Sequence, residues 1–206
     1  MKDLCLSPIP PPPATRRLEA HQGPLVWIDC EMTGLDLTKD RLLEVACLIT
    51  DGDLNLLDEG VNYVIRTDKK HLDSMNQWCV DQHGSSGLTA QCQNPEVARD
   101  HADVRASLLA YVRDRIPTKN CAVLAGNTVH ADKGFLAKEM PELIEHLHYR
   151  IVDVSTIKEL VRRWYGSEAV WTGGKGAHRA LDDIKGSIEE LKTYRRQFFL
   201  GQNQLP

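Results

Sequence analysis

The sequence predicts an α/β protein whose mixed sheet carries helices packed against it. Three observations lead to this prediction. Three strand-like segments come first, strand-like and helix-like segments alternate after them, and 206 residues are enough for one domain with a substantial core. Closely spaced strands form an antiparallel meander, whereas strands joined through a helix lie parallel, so this order makes the sheet mixed.

The first three segments have the character of strands. Residues 25–29 form a short apolar run that suits a buried central strand. Residues 41–50 predict a second strand, which ends at an Asp-Gly-Asp turn at residues 51–53. Residues 61–66 predict a third strand, which completes the meander.

The middle of the chain alternates between helix and strand. Residues 72–82 have mixed helical character, and residues 95–115 predict a long amphipathic helix because their apolar residues recur near one face. Residues 121–125 predict another buried strand. A helix is expected from about Ala131 onward, and a shorter one begins with Pro141 in its first turn, where proline is tolerated.

One more strand and two helices complete the prediction. Residues 151–154 predict the strand, and Ser155 is expected to cap a helix in which Lys158 and Glu159 face outward. A glycine-rich loop and the final helix follow, over residues 173–176 and about 179–198.

Charge and hydropathy limit the partners. The net charge is −4, and lysines and arginines are spread along the chain instead of forming the basic stripe of proteins that track long nucleic acids. This distribution argues against a long polyanionic partner but permits a very short one. No apolar run approaches the roughly 20 residues of a membrane-spanning helix, so we expect no membrane partner.

The six cysteines indicate an intracellular, reducing compartment. None forms a C-x-x-C pair, and the apolar segments carry the fold without disulfides, which favours buried, reduced thiols. The choice between cytoplasm and mitochondrion stays open.

Both ends of the chain differ from its middle in composition. Residues 1–23 contain a proline run that continues neither helix nor sheet, so we expect a disordered tail there. Arg16 and Arg17 keep an organellar presequence open as the alternative. Residues 24–200 form the predicted domain, and residues 201–206 are expected to be a flexible C-terminal tail.

Two acids on the first strand form half of a candidate metal site. Asp29 and Glu31 are two positions apart, so both side chains leave the same face of the strand. Acids on an otherwise apolar strand are costly unless something compensates them, and a divalent cation does so. The alternative is a strand end where both acids reach solvent.

The other candidates lie at the starts of helices. At about 100° per residue, Asp183 flanks the apolar stripe of the final helix, whereas Asp182 points away from it. His178, just before this helix, is a candidate general base because neutral imidazole accepts a proton near pH 7, with an exposed loop histidine as the alternative. Asp132 is either a further metal ligand or a helix cap.

These residues and their surroundings resemble the DEDDh family of 3′-to-5′ exonucleases, which have a ribonuclease H-like fold. Within this family, the sequence closely resembles the oligoribonucleases. The resemblance runs from about residue 25 to 199. The segments that carry it include Glu-Met-Thr-Gly-Leu-Asp, Asp-Ser-Met, Leu-Ala-Gly-Asn, Asp-Val-Ser-Thr, Arg-Arg-Trp-Tyr and His-Arg-Ala-Leu-Asp-Asp-Ile. Cys30 stands where leucine is more typical, and Thr128 where serine is usual.

The resemblance implies an active site with two divalent cations, Mg²⁺ or Mn²⁺. The implied metal ligands, which are also catalytic, come from three segments of the chain: Asp29, Glu31, Asp132 and Asp183. The implied general base is His178. The implied reaction is hydrolysis of very short oligoribonucleotides from the 3′ end, especially 5′-phosphorylated dinucleotides, to nucleoside 5′-monophosphates.

The resemblance implies a substrate pocket as well. The residues that would contact bases or enclose the substrate are Leu35, Trp78, His83 and Tyr149. The residues that would cap the 5′ phosphate are Thr128, Arg150 and Ser155. Tyr149 would reach in from the neighbouring subunit of a homodimer. A phosphate cap closes one end of the groove, so only very short RNAs fit.

Two other functions stay open at this point. The same metal core could trim longer RNA or DNA 3′ ends. A non-catalytic nucleic-acid-binding module on the same fold is the second alternative, although all the acids expected of the enzyme are present.

Overall fold

The strand order of the sheet follows from the predicted meander and alternation. The structure is a computed structural model that describes residues 10–173 and 179–199. Its strands are Leu25–Met32 (β1), Leu42–Thr50 (β2), Val61–Val64 (β3), Val123–Gly126 (β4) and His148–Asp153 (β5). They form one sheet in the order β3-β2-β1-β4-β5. Neighbours in the meander are antiparallel and the remaining pairs are parallel, which confirms the predicted α/β fold.

Eight α-helices surround this sheet within the described residues. They are Lys69–Leu72 (α1), Gln77–Ser85 (α2), Leu88–Gln93 (α3), His101–Arg115 (α4), Val129–Glu139 (α5), Pro141–His146 (α6), Val154–Tyr165 (α7) and Ala180–Tyr194 (α8). Short 3₁₀ turns occupy Ala20–Gln22 and Ser167–Ala169, and a π turn at Arg195–Phe199 continues α8. None of these helices is long and apolar enough to cross a membrane.

Helices cover both faces of the sheet. On one face, Val26 and Ile28 of β1 belong to the same buried cluster as residues of α4, α5 and α6. On the opposite face, Trp27 packs in a cluster with residues of α7 and α8. Because side chains alternate along a strand, Asp29 and Glu31 share the face of Trp27 and point toward α8.

Helix α4 begins later than the sequence predicts. The predicted helix starts at residue 95, but α4 starts at His101. The backbone of Arg99 explains the difference because it forms a parallel bridge with Ile65, just beyond β3. Arg99 is therefore extended, and the helix begins only after it.

The cap of α7 also differs from the prediction. Its N-cap residue is Asp153, whose carboxylate accepts a hydrogen bond from the Ser155 backbone N–H at 3.0 Å. Ser155 does not cap the helix; its hydroxyl donates to Asn127 Oδ1 instead, at 3.0 Å. Asp153 thus leaves the Ser155 side chain available to the site described below.

Part of the segment predicted as a disordered tail packs against the domain. Leu18 is completely buried in the core, and its backbone N–H donates to the Arg115 carbonyl at 2.8 Å. The Arg115 guanidinium in turn donates to the Pro12 carbonyl at 2.9 Å. The folded unit therefore begins upstream of residue 24. Residues 1–9 and 201–206 lie outside the described residues, as does the predicted loop at 173–176 except for Gly173.

Candidate active site

Three carboxylates converge between the sheet and α8. Asp29 and Glu31 come from β1, and Asp183 comes from the first turn of α8. One oxygen from each lies within 4.8 Å of the others. Asp182, the neighbouring acid, is exposed. The helical angle that separates the two acids in the sequence therefore matches their placement in the structure.

Asp132 lies beside this group but is not one of the three. It stands in the first turn of α5 and is 95% buried, at 5% exposure. Its Oδ1 accepts a hydrogen bond at 2.9 Å from the backbone N–H of Cys30, the residue between Asp29 and Glu31. This bond fixes α5 to β1 and brings a fourth carboxylate next to the other three.

The acids carry strongly raised pKa values. Burial raises the pKa of Asp29 to about 9, and the charges of neighbouring acids, Asp132 first among them, add to the effect. Burial and the charge of Glu44 raise the pKa of Glu31 to about 7. Burial raises the pKa of Asp132 to about 7, outweighing the hydrogen bonds that its carboxylate accepts.

These carboxylates suit a divalent cation. Several acids that are both buried and close together are unfavourable as anions, and a cation between them offsets their repulsion. Their oxygens are hard ligands of the kind that Mg²⁺ and Mn²⁺ prefer. The donor set thus fits the metal site that the sequence predicts, without distinguishing one such ion from another.

The predicted general base is not part of this geometry, because His178 lies outside the described residues. The chain is described again from Arg179, whose backbone carbonyl accepts hydrogen bonds from the amides of Asp182 and Asp183. Arg179 is the N-cap residue of α8, whose first turn carries Asp183.

A cavity of about 370 Å³ opens beside Glu31. Leu35 and Trp78 line it and are 76% and 70% exposed, so neither belongs to the core. His83 lines the same cavity but is buried; its Nε2 lies 2.8 Å from the Met32 carbonyl and its Nδ1 lies 3.8 Å from Glu31. An exposed tryptophan and an exposed leucine next to the acids form a surface on which a planar, apolar group can stack.

A second cavity of about 480 Å³ opens beside Asp29 and Asp183. Thr128 and Ser155 meet there: the Ser155 hydroxyl accepts from the Thr128 backbone N–H at 2.9 Å and lies 3.0 Å from the Thr128 hydroxyl. Thr128 has a φ of +55°, which turns its backbone N–H toward Ser155 and Asp153. The acids therefore lie between a cavity with apolar walls and a cavity lined with hydroxyl groups.

Sequence reasoning missed Lys158, which lines the second cavity. The sequence places it on the outward face of α7, but its ammonium group lies 3.2 Å from Glu190. Glu190 is buried and also accepts hydrogen bonds from Asn127 and Tyr194. Polar residues recur with helical spacing along α8 and end in Glu190 and Tyr194. This polar stripe is the sequence signal that could have indicated a charged partner such as Lys158 on the neighbouring helix α7.

The structure does not bring Tyr149 and Arg150 to the acids of the same chain. Both are exposed residues of β5, and the Arg150 guanidinium lies 5.6 Å from the centre of the Tyr149 ring. In the described part of the chain, neither Tyr149 nor Arg150 lines either of the two cavities beside the acids.

Comparisons with known proteins agree with this geometry. The profile of the family described as Exonuclease (RNase_T) matches residues 26–191. A probable oligoribonuclease of Schizosaccharomyces pombe is 50% identical over 190 residues, which cover 92% of this chain and 74% of the relative. The mitochondrial oligoribonuclease of Homo sapiens is 52% identical over 176 residues, which cover 85% of this chain and 73% of the relative.

Solved structures show the same fold at low identity. Exonuclease I of E. coli in complex with an oligonucleotide superposes with a TM-score of 0.65 at 15% identity, over 86% of this chain and 42% of that one. Exonuclease I of Methylocaldum szegediense gives a TM-score of 0.62 at 18% identity, over 85% and 41%. This chain thus spans about two fifths of their length. By its profile match and its relatives at about 50% identity, the chain belongs to the exonuclease family and, within it, to the oligoribonucleases.

Proposed function

We propose that this chain is a 3′-to-5′ exoribonuclease that hydrolyses very short oligoribonucleotides, especially 5′-phosphorylated dinucleotides, to nucleoside 5′-monophosphates. The observation that carries the proposal is the position of the acid cluster between two unlike cavities. Leu35 and Trp78 offer a stacking surface for bases on one side. Hydroxyl groups and the Lys158 ammonium offer donors for a phosphate on the other side.

The preference for short substrates rests on the second cavity. Thr128 and Ser155 supply hydroxyl donors there, and Lys158 supplies a positive charge. A terminal 5′ phosphate bound by these groups closes the path along which a longer strand would continue. The net charge of −4 agrees, since it provides no general attraction for a long polyanion.

The residues that would hold the cations are acids near one another, namely Asp29, Glu31, Asp132 and Asp183. We propose two divalent cations, Mg²⁺ or Mn²⁺, as the cofactors. When bound, such ions supply positive charge at the scissile phosphate and make a water molecule more acidic.

The chain's own side chains bind and orient the substrate and move the proton. His178 accepts the proton of the attacking water at an imidazole nitrogen. Trp78 stacks on a base, Leu35 wedges against the bases, and His83 helps to enclose them. Arg150 caps the 5′ phosphate together with Thr128 and Ser155, and Tyr149 reaches in from the neighbouring subunit of a homodimer.

The test is hydrolysis of a 5′-phosphorylated dinucleotide in Mg²⁺ by the wild type, by Asp29→Ala and by Asp182→Ala. Removal of Asp29 is expected to slow hydrolysis by roughly a thousandfold or more. When catalytic residues act as a unit, removing one of them costs about as much activity as removing all of them. The exposed Asp182 is the matched control, and its removal is expected to leave the rate unchanged. Equal rates for all three proteins would end the proposal.

Length-resolved kinetics separates this activity from trimming of longer RNA or DNA ends by the same metal core. The rate on a 5′-phosphorylated dinucleotide is expected to exceed the rate on an RNA of about 20 nucleotides with the same 3′ end. A rate that rises with length would favour the longer substrate. Binding without cleavage, in the presence and absence of Mg²⁺, would instead favour a non-catalytic module.

The oligomeric state and the compartment are proposals of the same kind. A homodimer should show twice the chain mass in light scattering. Tyr149→Ala should slow dinucleotide hydrolysis without dissociating the homodimer. A fully active monomer would remove Tyr149 from the site. We propose an intracellular, reducing location in cytoplasm or mitochondrion, which fractionation with an antibody would test.

A further inference from the structure

A buried ion pair joins the start of α8 to the sheet beside the acids. The guanidinium of Arg179 donates from Nη2 to Glu44 Oε1 at 2.9 Å. The Glu44 side chain, on β2, is completely buried, whereas that of Arg179 is 31% exposed. Asn62 on β3 donates to the same Glu44 oxygen at 2.8 Å, which holds the carboxylate in place from the other side.

Glu44 lies next to the acid cluster without belonging to it. It is the residue of β2 directly opposite Glu31 in the antiparallel register, so the two side chains are cross-strand neighbours on one face. Glu44 is absent from the group of three carboxylates that lie within 4.8 Å of one another. The guanidinium of Arg179 therefore offsets a carboxylate that would otherwise stand uncompensated behind Glu31.

The backbone of Arg179 begins the helix that carries Asp183. Its carbonyl accepts hydrogen bonds from the amides of Asp182 at 2.9 Å and Asp183 at 3.1 Å. The bond from its side chain to Glu44 attaches the first turn of α8 to β2 at a defined point. Any movement of that point would displace Asp183 relative to the acids of β1.

We propose that Arg179 and Glu44 are positioning residues, which hold Asp183 in register with the acids of β1. This inference rests on the proposed function. Lysine is a poor substitute in this role, because the planar fork of arginine fixes a direction that a single ammonium group does not.

The pair is a costly way to hold a helix if stability is its only purpose. Buried ion pairs contribute little net stability, and apolar residues of similar volume often replace them without loss. Moreover, Glu44 Oε2 and Arg179 Nε are buried and have no hydrogen-bond partner among the described residues. A requirement for orientation beside the cluster accounts for this arrangement better than a requirement for stability.

The experiment compares four variants with the wild type: Arg179→Met, Arg179→Lys, Glu44→Gln and the double variant Glu44→Gln/Arg179→Met. Arg195→Met is the matched control, because it breaks an exposed ion pair with Asp53 at the other end of α8. Steady-state kcat and KM are measured on a 5′-phosphorylated dinucleotide in Mg²⁺. Amide hydrogen exchange at Asp182 and Asp183 is measured by mass spectrometry or NMR.

Arg179→Met is expected to lower kcat by about 10- to 100-fold, the usual effect of removing a group that orients ligands, with KM changed less than about threefold. Arg179→Lys is expected to recover part of kcat. Amide exchange at Asp182 and Asp183 should accelerate at least about tenfold in Arg179→Met and stay unchanged in Arg195→Met. The double variant should lose less than the product of the two single losses, because no uncompensated carboxylate remains.

Several outcomes would overturn the proposal. One is a kcat within about threefold of wild type for folded Arg179→Met, another is a rise in KM as large as the fall in kcat, and a third is single losses that multiply in the double variant. If Arg179→Met does not fold, the kcat of Arg179→Lys decides in the same way. If the wild type does not cleave the dinucleotide, the proposed function fails, and amide exchange still decides whether the pair fixes the start of α8.

Discussion

Raising the pH should destabilise this protein when divalent cations are removed. Burial raises the pKa of Asp132 and of Glu31 to about 7 and that of Asp29 to about 9, whereas the same groups in an unfolded chain ionise near pH 4. Between pH 4 and these raised values, the folded state binds more protons than the unfolded state. The free energy of unfolding therefore falls as the pH rises through this range.

The size of the effect follows from one acid. The pKa of Asp132 rises from 3.8 to about 7, and each pKa unit corresponds to about 1.4 kcal/mol, so its ionisation costs on the order of 4 kcal/mol above pH 7. In a domain of this size, 1 kcal/mol shifts the melting temperature by roughly 2–4 °C. About 2.7 kcal/mol of this cost falls between pH 5 and pH 7, so the loss expected from Asp132 over the pH range of the assay is about 5–11 °C. The other acids share the same neighbours, so their contributions do not simply add.

The assay is thermal unfolding in EDTA at pH 5, 6, 7 and 8. The melting temperature of the wild type is expected to fall along this series. The melting temperature of Asp29→Asn should depend less steeply on pH. This substitution removes one titrating group and one of the charges that raise the pKa values of the other acids. Added Mg²⁺ or Mn²⁺ should raise the melting temperature more at pH 8 than at pH 5, since a cation binds the ionised acids and releases their protons.

The comparison of variants decides this prediction. The exposed Asp182 provides the control, and Asp182→Asn should follow the wild type at every pH. The reasoning is refuted if the wild type and Asp29→Asn lose stability in parallel between pH 5 and pH 8, or if the wild type in EDTA becomes more stable over that range.

Three further predictions concern binding and stability. Trp78→Ala should raise KM for a dinucleotide about tenfold, because base stacking contributes roughly 1–3 kcal/mol, whereas Trp164→Ala, another exposed tryptophan, should not; equal KM values would contradict the stacking role. Arg115→Met should lower the free energy of unfolding in urea by about 3–5 kcal/mol, because it leaves a buried ion pair broken; a loss under about 1 kcal/mol would contradict this. Gly60→Ala should destabilise the protein by more than about 1 kcal/mol in the same assay, because Gly60 has a φ of +78° and an added Cβ would lie 2.5 Å from a carbonyl oxygen of β2. Gly84→Ala is the control, since its added Cβ would meet nothing within 4 Å. Equal stabilities of the two variants would contradict the predicted strain.

The order of the elements and the placement of three acids were predictable because each depends on a local pattern. Apolar runs predict strands, and the alternation of strand side chains puts Asp29 and Glu31 on one face. The helical angle then selects Asp183 over Asp182. These patterns are short, so neighbouring residues alone determine them.

What the sequence did not predict depends on distant partners. The start of α4 is delayed by the pairing of Arg99 with the end of β3, about 35 residues earlier in the chain. Lys158 turns to the cavity because Glu190 on another helix attracts it. Arg179 reaches Glu44 across 135 positions. No periodicity within a single segment carries such information.

The packing of the N-terminal segment has a practical consequence for how the protein is produced. An expressed chain that starts at residue 24 would lack Leu18, and the core would then contain a hole of one leucine side chain. It would also deprive Arg115 of the Pro12 carbonyl that its guanidinium binds. A version that is meant to crystallise or to give reliable kinetics should therefore retain Pro12 and Leu18.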